Sequence, residues 1–479
     1  MADLNEMLVA WTGEIDSFMY TYILVILLVF VGIYYTIRTK AVQIRYIKDM
    51  FTQLTEKKHV QGEKSISSFQ ALMVSTASRV GTGNIAGIAT AVATGGPGAI
   101  FWMWLMALIG AASAFIESTL AQIYKIRGKE GEFRGGPAYY IQQGLGQRWL
   151  GIIFAWALIL CFAFGFNGLQ AFNMTSALEY YIPDYATNGT AIGVGIVLVV
   201  ICAIIFLGGV QRLASVTEKI VPVMAAIFLL GGLVVLIARI QYLPATISMI
   251  FQYAFQPQAI IGGGFGAALK TAISQGAKRG LFSNEAGMGS TPHAHALADV
   301  KDPHHQGTVA MIGVFIDTFV VVTMTALVVI SVLYVGGPLS VDATGMVDGI
   351  DKTNMAQLAF GTFFGSTFGN SFVAICLLMF AFSTILSWNL FAKLNVEYLF
   401  ARFGCRSRSS RSLRSSSSSW ARCSPTTWYG SLPTCSTSSW SFPTPSHCLR
   451  CRAWSRPSSS SIIMARRSSS TNRERVAGA

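Results

Sequence analysis

The stretch Ala77-Ser78-Arg79-Val80-Gly81-Thr82-Gly83-Asn84-Ile85-Ala86-Gly87 sets three glycines, two hydroxyls and an amide in a long apolar run. A helix broken here would free N–H groups for an anionic carboxylate and C=O groups for a cation. The dipoles of the two half-helices favour the same signs. Breaking a helix inside lipid is costly unless the freed groups meet a ligand, water or protein. Close helix packing through small residues is the competing explanation. A dinucleotide loop is excluded, because the spacing is G-x-G-x-x-x-G and no strand precedes it. A second glycine run, Gly262-Gly263-Gly264-Phe265-Gly266, lies five apolar segments later. Interrupted helices at matching positions in two halves point to an inverted-repeat transporter with its site between them. Packing alone would also account for these glycines.

Four ionisable groups, Arg79, Glu117, Lys270 and Asp317, lie inside apolar segments. A charge there costs about 2.5–3.5 kcal/mol, so partners are expected. At about 1.5 Å per residue from the segment ends, Arg79 is roughly 18 Å deep and Glu117 and Asp317 roughly 13 Å. Arg79 is expected to pair with Glu117 first, or with Asp317, as a gate or as a static ion pair. Lys270 reads as a snorkelling side chain. His293, His295, His304 and His305 crowd one loop without a Cys or Glu-x-x-His frame, so a solvated loop is the main reading and metal binding the lesser alternative. No nucleophile–base constellation stands out, which argues against an enzyme.

The elements that must position these residues are membrane helices. The 479-residue chain is 52% hydrophobic and 12% charged, with mean hydropathy +0.51; soluble domains carry about 25% charged residues. An all-α polytopic membrane protein follows. Nine apolar segments are long enough to span, near 18–37, 67–94, 97–124, 149–176, 190–208, 219–239, 258–280, 308–335 and 369–392. Lys and Arg collect on alternate loops, among them Arg38, Lys40, Arg45, Lys48, Lys57, Lys58 and Lys64 after the first segment. The N-terminal stretch has Asp3, Glu6, Glu14 and Asp16 and no base, which places the N-terminus outside. Cys161, Cys202 and Cys376 sit singly in apolar runs and read as small core residues.

Two further strings carry a resemblance. Gly95-Gly96-Pro97-Gly98-Ala99-Ile100-Phe101-Trp102-Met103-Trp104-Leu105 and Gly280-Leu281-Phe282-Ser283-Asn284-Glu285-Ala286-Gly287-Met288-Gly289-Ser290 resemble signatures of the sodium:alanine (alanine/glycine:cation) symporters. The resemblance runs from about residue 5 to about residue 400. It implies eleven helices: one N-terminal, then a five-plus-five inverted repeat like that of the neurotransmitter:sodium symporters. Val80-Gly81-Thr82-Gly83-Asn84 is similar to the Val-Gly-Leu-Gly-Asn break of that related family. By that likeness the amides of Gly81, Thr82 and Gly83 hold a substrate carboxylate, and Asn84 holds sodium. Ala77 and Val80 offer carbonyls to a second sodium site, completed by Ala381 and Thr384 of Ala381-Phe382-Ser383-Thr384. Gln170 and the run Gly263, Gly264, Phe265 and Gly266 are further candidates for substrate. Arg79 departs from the likeness, which has a small residue there.

The resemblance implies symport of a small neutral amino acid (alanine, glycine or serine) with Na+ or H+, Na+ first, across the plasma (inner) membrane. No cofactor and no nucleic acid are expected; the lipid bilayer is the surrounding partner. A zwitterion adds no net charge, so Na+ supplies the electrical work, about 2.3 kcal/mol per 100 mV. A tenfold Na+ gradient adds about 1.4 kcal/mol. A non-transporting membrane sensor on the same fold is the alternative, and an inactive truncated symporter is a third.

The third reading comes from the C-terminus. Residues 401–479 hold 13 Arg, 24 Ser, 5 Pro and 5 Cys with one acid, Glu474, and account for nearly all of the net charge of +13. No apolar span survives there, so nine spans fall two short of eleven. In a GC-rich gene, hydrophobic codons of the form NTC read one base late become TCN, serine; CTG and ATG become TGN, cysteine or tryptophan; GCC and GCG become proline or arginine. A frameshifted membrane helix would have the composition seen. The run Thr434-Cys435-Ser436-Thr437-Ser438-Ser439-Trp440-Ser441-Phe442-Pro443-Thr444-Pro445 is what a segment like D-L-F-N-x-x-M-x-x-P-N-A would yield. Residues 1–400 therefore read as a transporter domain and 401–479 as a frameshifted cytoplasmic tail outside the fold. A disordered Arg/Ser tail binding anionic lipid or nucleic acid is the alternative.

Overall fold

Apolar segments in lipid can satisfy their backbone only internally, and the chain runs as helix after helix. The computed structural model describes residues 7, 10–15, 18–54, 65–128, 132–182, 185, 188–255, 265–339, 346–347 and 354–400; for 20–22 and 265–270 it describes the backbone alone. A π turn at Met19–Leu24 leads into α1 (Val25–Arg38), and α2 (Ile47–Leu54) follows. The second apolar segment is two helices, α3 (Ser68–Arg79) and α4 (Ala86–Gly95). Then come α5 (Ala99–Ile123), α6 (Arg148–Ser176), α7 (Thr190–Leu207) and α8 (Gly209–Ala238). Next are α9 (Leu243–Phe255), α10 (Phe265–Asn284) and the short α11 (Pro292–Ala296). Last are α12 (Pro303–Tyr334), α13 (Met355–Phe364) and α14 (Ser366–Phe400). A small hairpin, β1 (Ile126–Arg127) against β2 (Phe133–Arg134), is the only sheet among the described residues.

Among the described residues six helices, α5, α6, α7, α8, α12 and α14, are long and apolar enough to cross a membrane. Within the described residues each of the nine expected segments coincides with helix, the seventh from Phe265 on, but the ends differ. The sixth begins at Gly209 and carries Pro222 inside it, and the ninth continues to Phe400. The outward surface of α7 shows why lipid is its solvent: Ile192, Ile196, Val197, Val200, Ile204 and Leu207 are all exposed.

Small residues let the helices close up. At Gly98, just before α5, any Cβ would land on the Tyr253 carbonyl of α9. Gly98→Ala is expected to cost about 1–3 kcal/mol of stability through this backbone clash. A thermal unfolding series in detergent checks it; an unchanged Tm would contradict the contact.

α3 starts with a capping box. The Gln70 N–H donates to Ser67 Oγ and the Ser67 N–H to Gln70 Oε1, both at 3.1 Å. Just before it, Ile66 pairs with the segment after α11: its N–H donates to Leu297 O (3.3 Å), and the Asp299 N–H donates to Ile66 O (3.1 Å). Gln306 Nε2 of α12 donates to Ser68 Oγ (2.8 Å). The start of α3 is thus strapped to the α11–α12 region.

Candidate functional site

α3 ends where the glycine pattern placed a break. The Val80 N–H still reaches Thr76 O, but the Gly81 N–H turns to Arg79 O (3.0 Å) and Asn84 Oδ1 (3.1 Å). Thr82–Asn84 form one 3₁₀ turn before α4 resumes. With the Gly81 N–H diverted, Ala77 O loses its usual helical donor. Thr384 Oγ1 of α14 lies 2.9 Å from Ala77 O, 3.4 Å from Val80 O and 2.8 Å from its own Phe380 O. One hydroxyl proton serves one carbonyl well, so the spot holds surplus acceptors. Ala381 is buried one turn before Thr384.

On the other side of the break, Gln170 of α6 accepts through Oε1 from the Thr82 N–H (3.1 Å) and Thr82 Oγ1 (2.8 Å). Asn173 Nδ2 donates to Thr82 Oγ1 (2.8 Å). Gln170 is 1% exposed, and its Nε2 has no partner among the described residues. A Cβ at Gly81 would lie 3.0 Å from that Nε2 and 2.8 Å from Thr384 Oγ1. At Gly83 it would lie 2.9 Å from the Phe282 ring. Phe166, Phe282 and Trp388 pack together beside the break, with centroids 5.0–6.4 Å apart.

The expected break in the seventh segment falls largely outside the described residues. Gly262, Gly263 and Gly264 lie outside the described residues. Phe265 and Gly266 open α10, and nothing is described of their side chains or of that of Lys270. Within the described residues, the interruption falls at 285–291, between α10 and α11. Glu285 (φ 52°), Gly287 (φ 87°) and Gly289 (φ 77°) adopt left-handed backbone, and Glu285 pays for it with roughly 1–3 kcal/mol of strain. This second interruption meets the first. Ser78 Oγ donates to Glu285 Oε2 (2.9 Å), and Arg79 Nε donates to Asn284 O (2.8 Å). Ser290 Oγ (2.7 Å) and Trp388 Nε1 (2.7 Å) also donate to the Glu285 carboxylate.

Arg79 does not pair as expected. Its Nη2 donates to Thr291 Oγ1 (3.0 Å), its Nη1 has no partner, and among the described residues no ion pair joins it to Glu117 or Asp317. Depth counting fixes height along a helix and leaves azimuth open; α3 turns Arg79 toward the second break. Glu117 is buried, and its Oε2 has no hydrogen-bond partner among the described residues. Asp317 accepts from Asn84 Nδ2 (2.6 Å), Ser283 Oγ (2.8 and 3.0 Å) and Thr318 Oγ1 (3.0 Å). Exchanging the charges, Arg79→Glu with Glu117→Arg, is therefore expected not to restore what either single change loses. Rescue of uptake by the exchange would contradict this arrangement.

The histidines also differ from a solvated loop. His293 is buried between the rings of Phe154 and Phe391, and His295 is buried with Nδ1 2.8 Å from Gln306 Oε1. Sequence reasoning missed Ser283, Glu285, Asn173 and Trp388 as parts of the site. The signal was in Ser283-Asn284-Glu285-Ala286-Gly287-Met288-Gly289, where two glycines and Pro292 follow a helix.

Comparison with known proteins fits these two facing breaks. A profile described as the sodium:alanine symporter family matches residues 5–411. The amino-acid carrier protein AlsT of Bacillus subtilis (strain 168) is 44% identical over 384 residues, 80% of this chain and 77% of its own. The probable sodium/glutamine symporter GlnT of the same organism is 39% identical over 396 residues, 83% and 78% of the two chains. The sodium/alanine symporter AgcS of Methanococcus maripaludis is 37% identical over 405 residues, 83% and 85%.

Proposed function

The chain belongs to the sodium:alanine symporter family, and from that premise we propose that it carries a small neutral amino acid with Na+ across the plasma (inner) membrane by alternating access. It is a multi-pass membrane transporter of the amino-acid:cation kind and not an enzyme. The observation that carries the finer reading is the set of unspent polar groups at the first break. The Ala77 and Val80 carbonyls with Thr384 Oγ1 suit a bare cation, with Ala381 beside them. The Gln170 Nε2 beside Gly81, without a partner among the described residues, suits a substrate carboxylate; the Gly81 and Thr82 amides, here donated to Asn84 Oδ1 and Gln170 Oε1, would join it, with that of Gly83, once those bonds are released. Asn84 and Asp317, with Ser283, suit a second cation, and Asp317 gives that place a formal charge. The ring of Phe282 so close to Gly83 leaves room for a small side chain, which favours alanine, glycine or serine.

The first break lies within the second apolar segment and the interruption at 285–291 directly follows the seventh, a spacing in keeping with a five-plus-five inverted repeat preceded by one helix, the N-terminus outside and the tail cytoplasmic. The family match stops at residue 411, which supports reading the Ser/Arg-rich remainder as a frameshift that removes two helices from the second repeat. Uptake of labelled alanine into proteoliposomes under an inward Na+ gradient tests both readings together. The chain as it stands is expected to take up little. The same chain with an apolar reading frame restored after about codon 400 is expected to accumulate alanine when Na+, and not K+, is outside. Failure of the restored chain would overturn the transport reading; equal uptake by both would overturn the tail reading. Asn84→Ala in the restored chain is expected to abolish sodium-dependent uptake, and full uptake would remove Asn84 from the ion site.

A further inference from the structure

A group of metal-ligating side chains lies apart from the two breaks, at the start of α12. Asp302, His304 and His305 each offer one ligand atom, and these three atoms all lie within 4.8 Å of one another. His305 Nε2 is 3.8 Å from Asp302 Oδ2, and the two imidazole rings meet edge to face with centroids 4.6 Å apart. An Asp preceding a helix ordinarily spends its carboxylate as a cap on the first N–H groups. Asp302 makes no such side-chain cap. Pro303, first in the helix, has no N–H to offer, and the carboxylate turns to His305 instead.

We propose that Asp302, His304 and His305 form a binding site for a late first-row divalent cation of the Zn2+ class, with at least one coordination position left to water. Two imidazoles and a carboxylate are the donor set of an open zinc site. Ligand bonds of about 2.0–2.2 Å bring tetrahedral ligand atoms to roughly 3.3–3.5 Å from one another, so closure needs about 1 Å of side-chain movement. The residues can supply it: Asp302 is exposed and both histidines are partly so. The carboxylate offsets the positive end of the α12 dipole, which would otherwise repel a cation. Imidazole with carboxylate prefers Zn2+, Cu2+, Ni2+ and Co2+ over Mg2+ or Ca2+. The site is also three residues beyond Asp299, whose N–H holds Ile66 at the entry to α3. A metal there would fix the joint between that strap and α12.

Titration of the purified full chain in detergent with Co2+ tests this without reference to transport. One equivalent is expected to give visible d–d absorbance without the near-ultraviolet charge-transfer band of thiolate ligation, which separates it from the cysteines. The double variant His304→Ala/His305→Ala is expected to bind one Co2+ fewer while migrating as the parent on gel filtration. The milder Asp302→Asn, which keeps the helix start intact, is expected to weaken binding at least about tenfold. Hydrogen exchange across 297–302 is expected to slow when Co2+ is present and only in the parent. The same Co2+ count in parent and double variant, or a spectrum that is entirely thiolate, would overturn the proposal.

Discussion

Thr384→Ala is expected to abolish sodium dependence, whereas Thr384→Ser should retain most of it. The hydroxyl of Thr384 is the one side-chain oxygen that faces both Ala77 O and Val80 O, across 307 and 304 residues of sequence. Removing it takes one ligand from the proposed cation site, and it leaves two carbonyls of the broken helix without the group that faces them. Serine keeps the oxygen and loses only a methyl. In the frame-restored chain the half-saturating Na+ concentration is expected to rise at least about tenfold in the alanine variant, equivalent to about 1.4 kcal/mol. A curve of uptake against Na+ for both variants checks it. Equal half-saturation in parent and Thr384→Ala would remove the residue from the ion site.

Gly81→Ala is expected to be the more damaging change, because it reaches ion and substrate together. Gly81 has an extended backbone (φ −118°), which any residue adopts, so the effect is one of contact alone. The new methyl would sit 2.8 Å from Thr384 Oγ1 and 3.0 Å from Gln170 Nε2. Both groups would have to withdraw, one from the carbonyl cluster and the other from the turn at Thr82. Overpacking of this kind costs about 1–3 kcal/mol, here on the very groups proposed to bind. Uptake is expected to fall at least about tenfold, with the protein still eluting as a folded species. Adding Gln170→Ala would relieve one of the two contacts, and a double-mutant cycle would then show non-additive losses. Additive losses would mean that the two side chains do not share the space beside Gly81.

The two breaks were unequally legible. The first could be read from glycine density in an apolar run, where Gly81, Gly83 and an amide fall close together, although close packing through small residues would leave the same pattern. The second was expected at 262–266, of which 262–264 lie outside the described residues; the interruption among the described residues turns on positive φ at Glu285, Gly287 and Gly289. Composition does not reveal backbone sign, least of all at a glutamate. Arg79 illustrates a different limit. Its depth was counted from the segment end, but its direction depends on how α3 is rotated against α10 and α12, and that is decided by packing. Thr384 came only through the family likeness; no local pattern ties it to Ala77. Buried His293 and His295 were read as solvated because a loop in sequence need not be a surface in space.

The first break is proposed to bind a cation and an amino acid as neighbours. Equilibrium binding of labelled alanine to the frame-restored chain, measured across a series of Na+ concentrations at constant ionic strength, tests it most directly. Coupling of binding sites is reciprocal, so alanine affinity is expected to rise with Na+ and to collapse when choline replaces it, and Thr384→Ala is expected to flatten that dependence. Alanine binding of the same strength with and without Na+ would contradict the account.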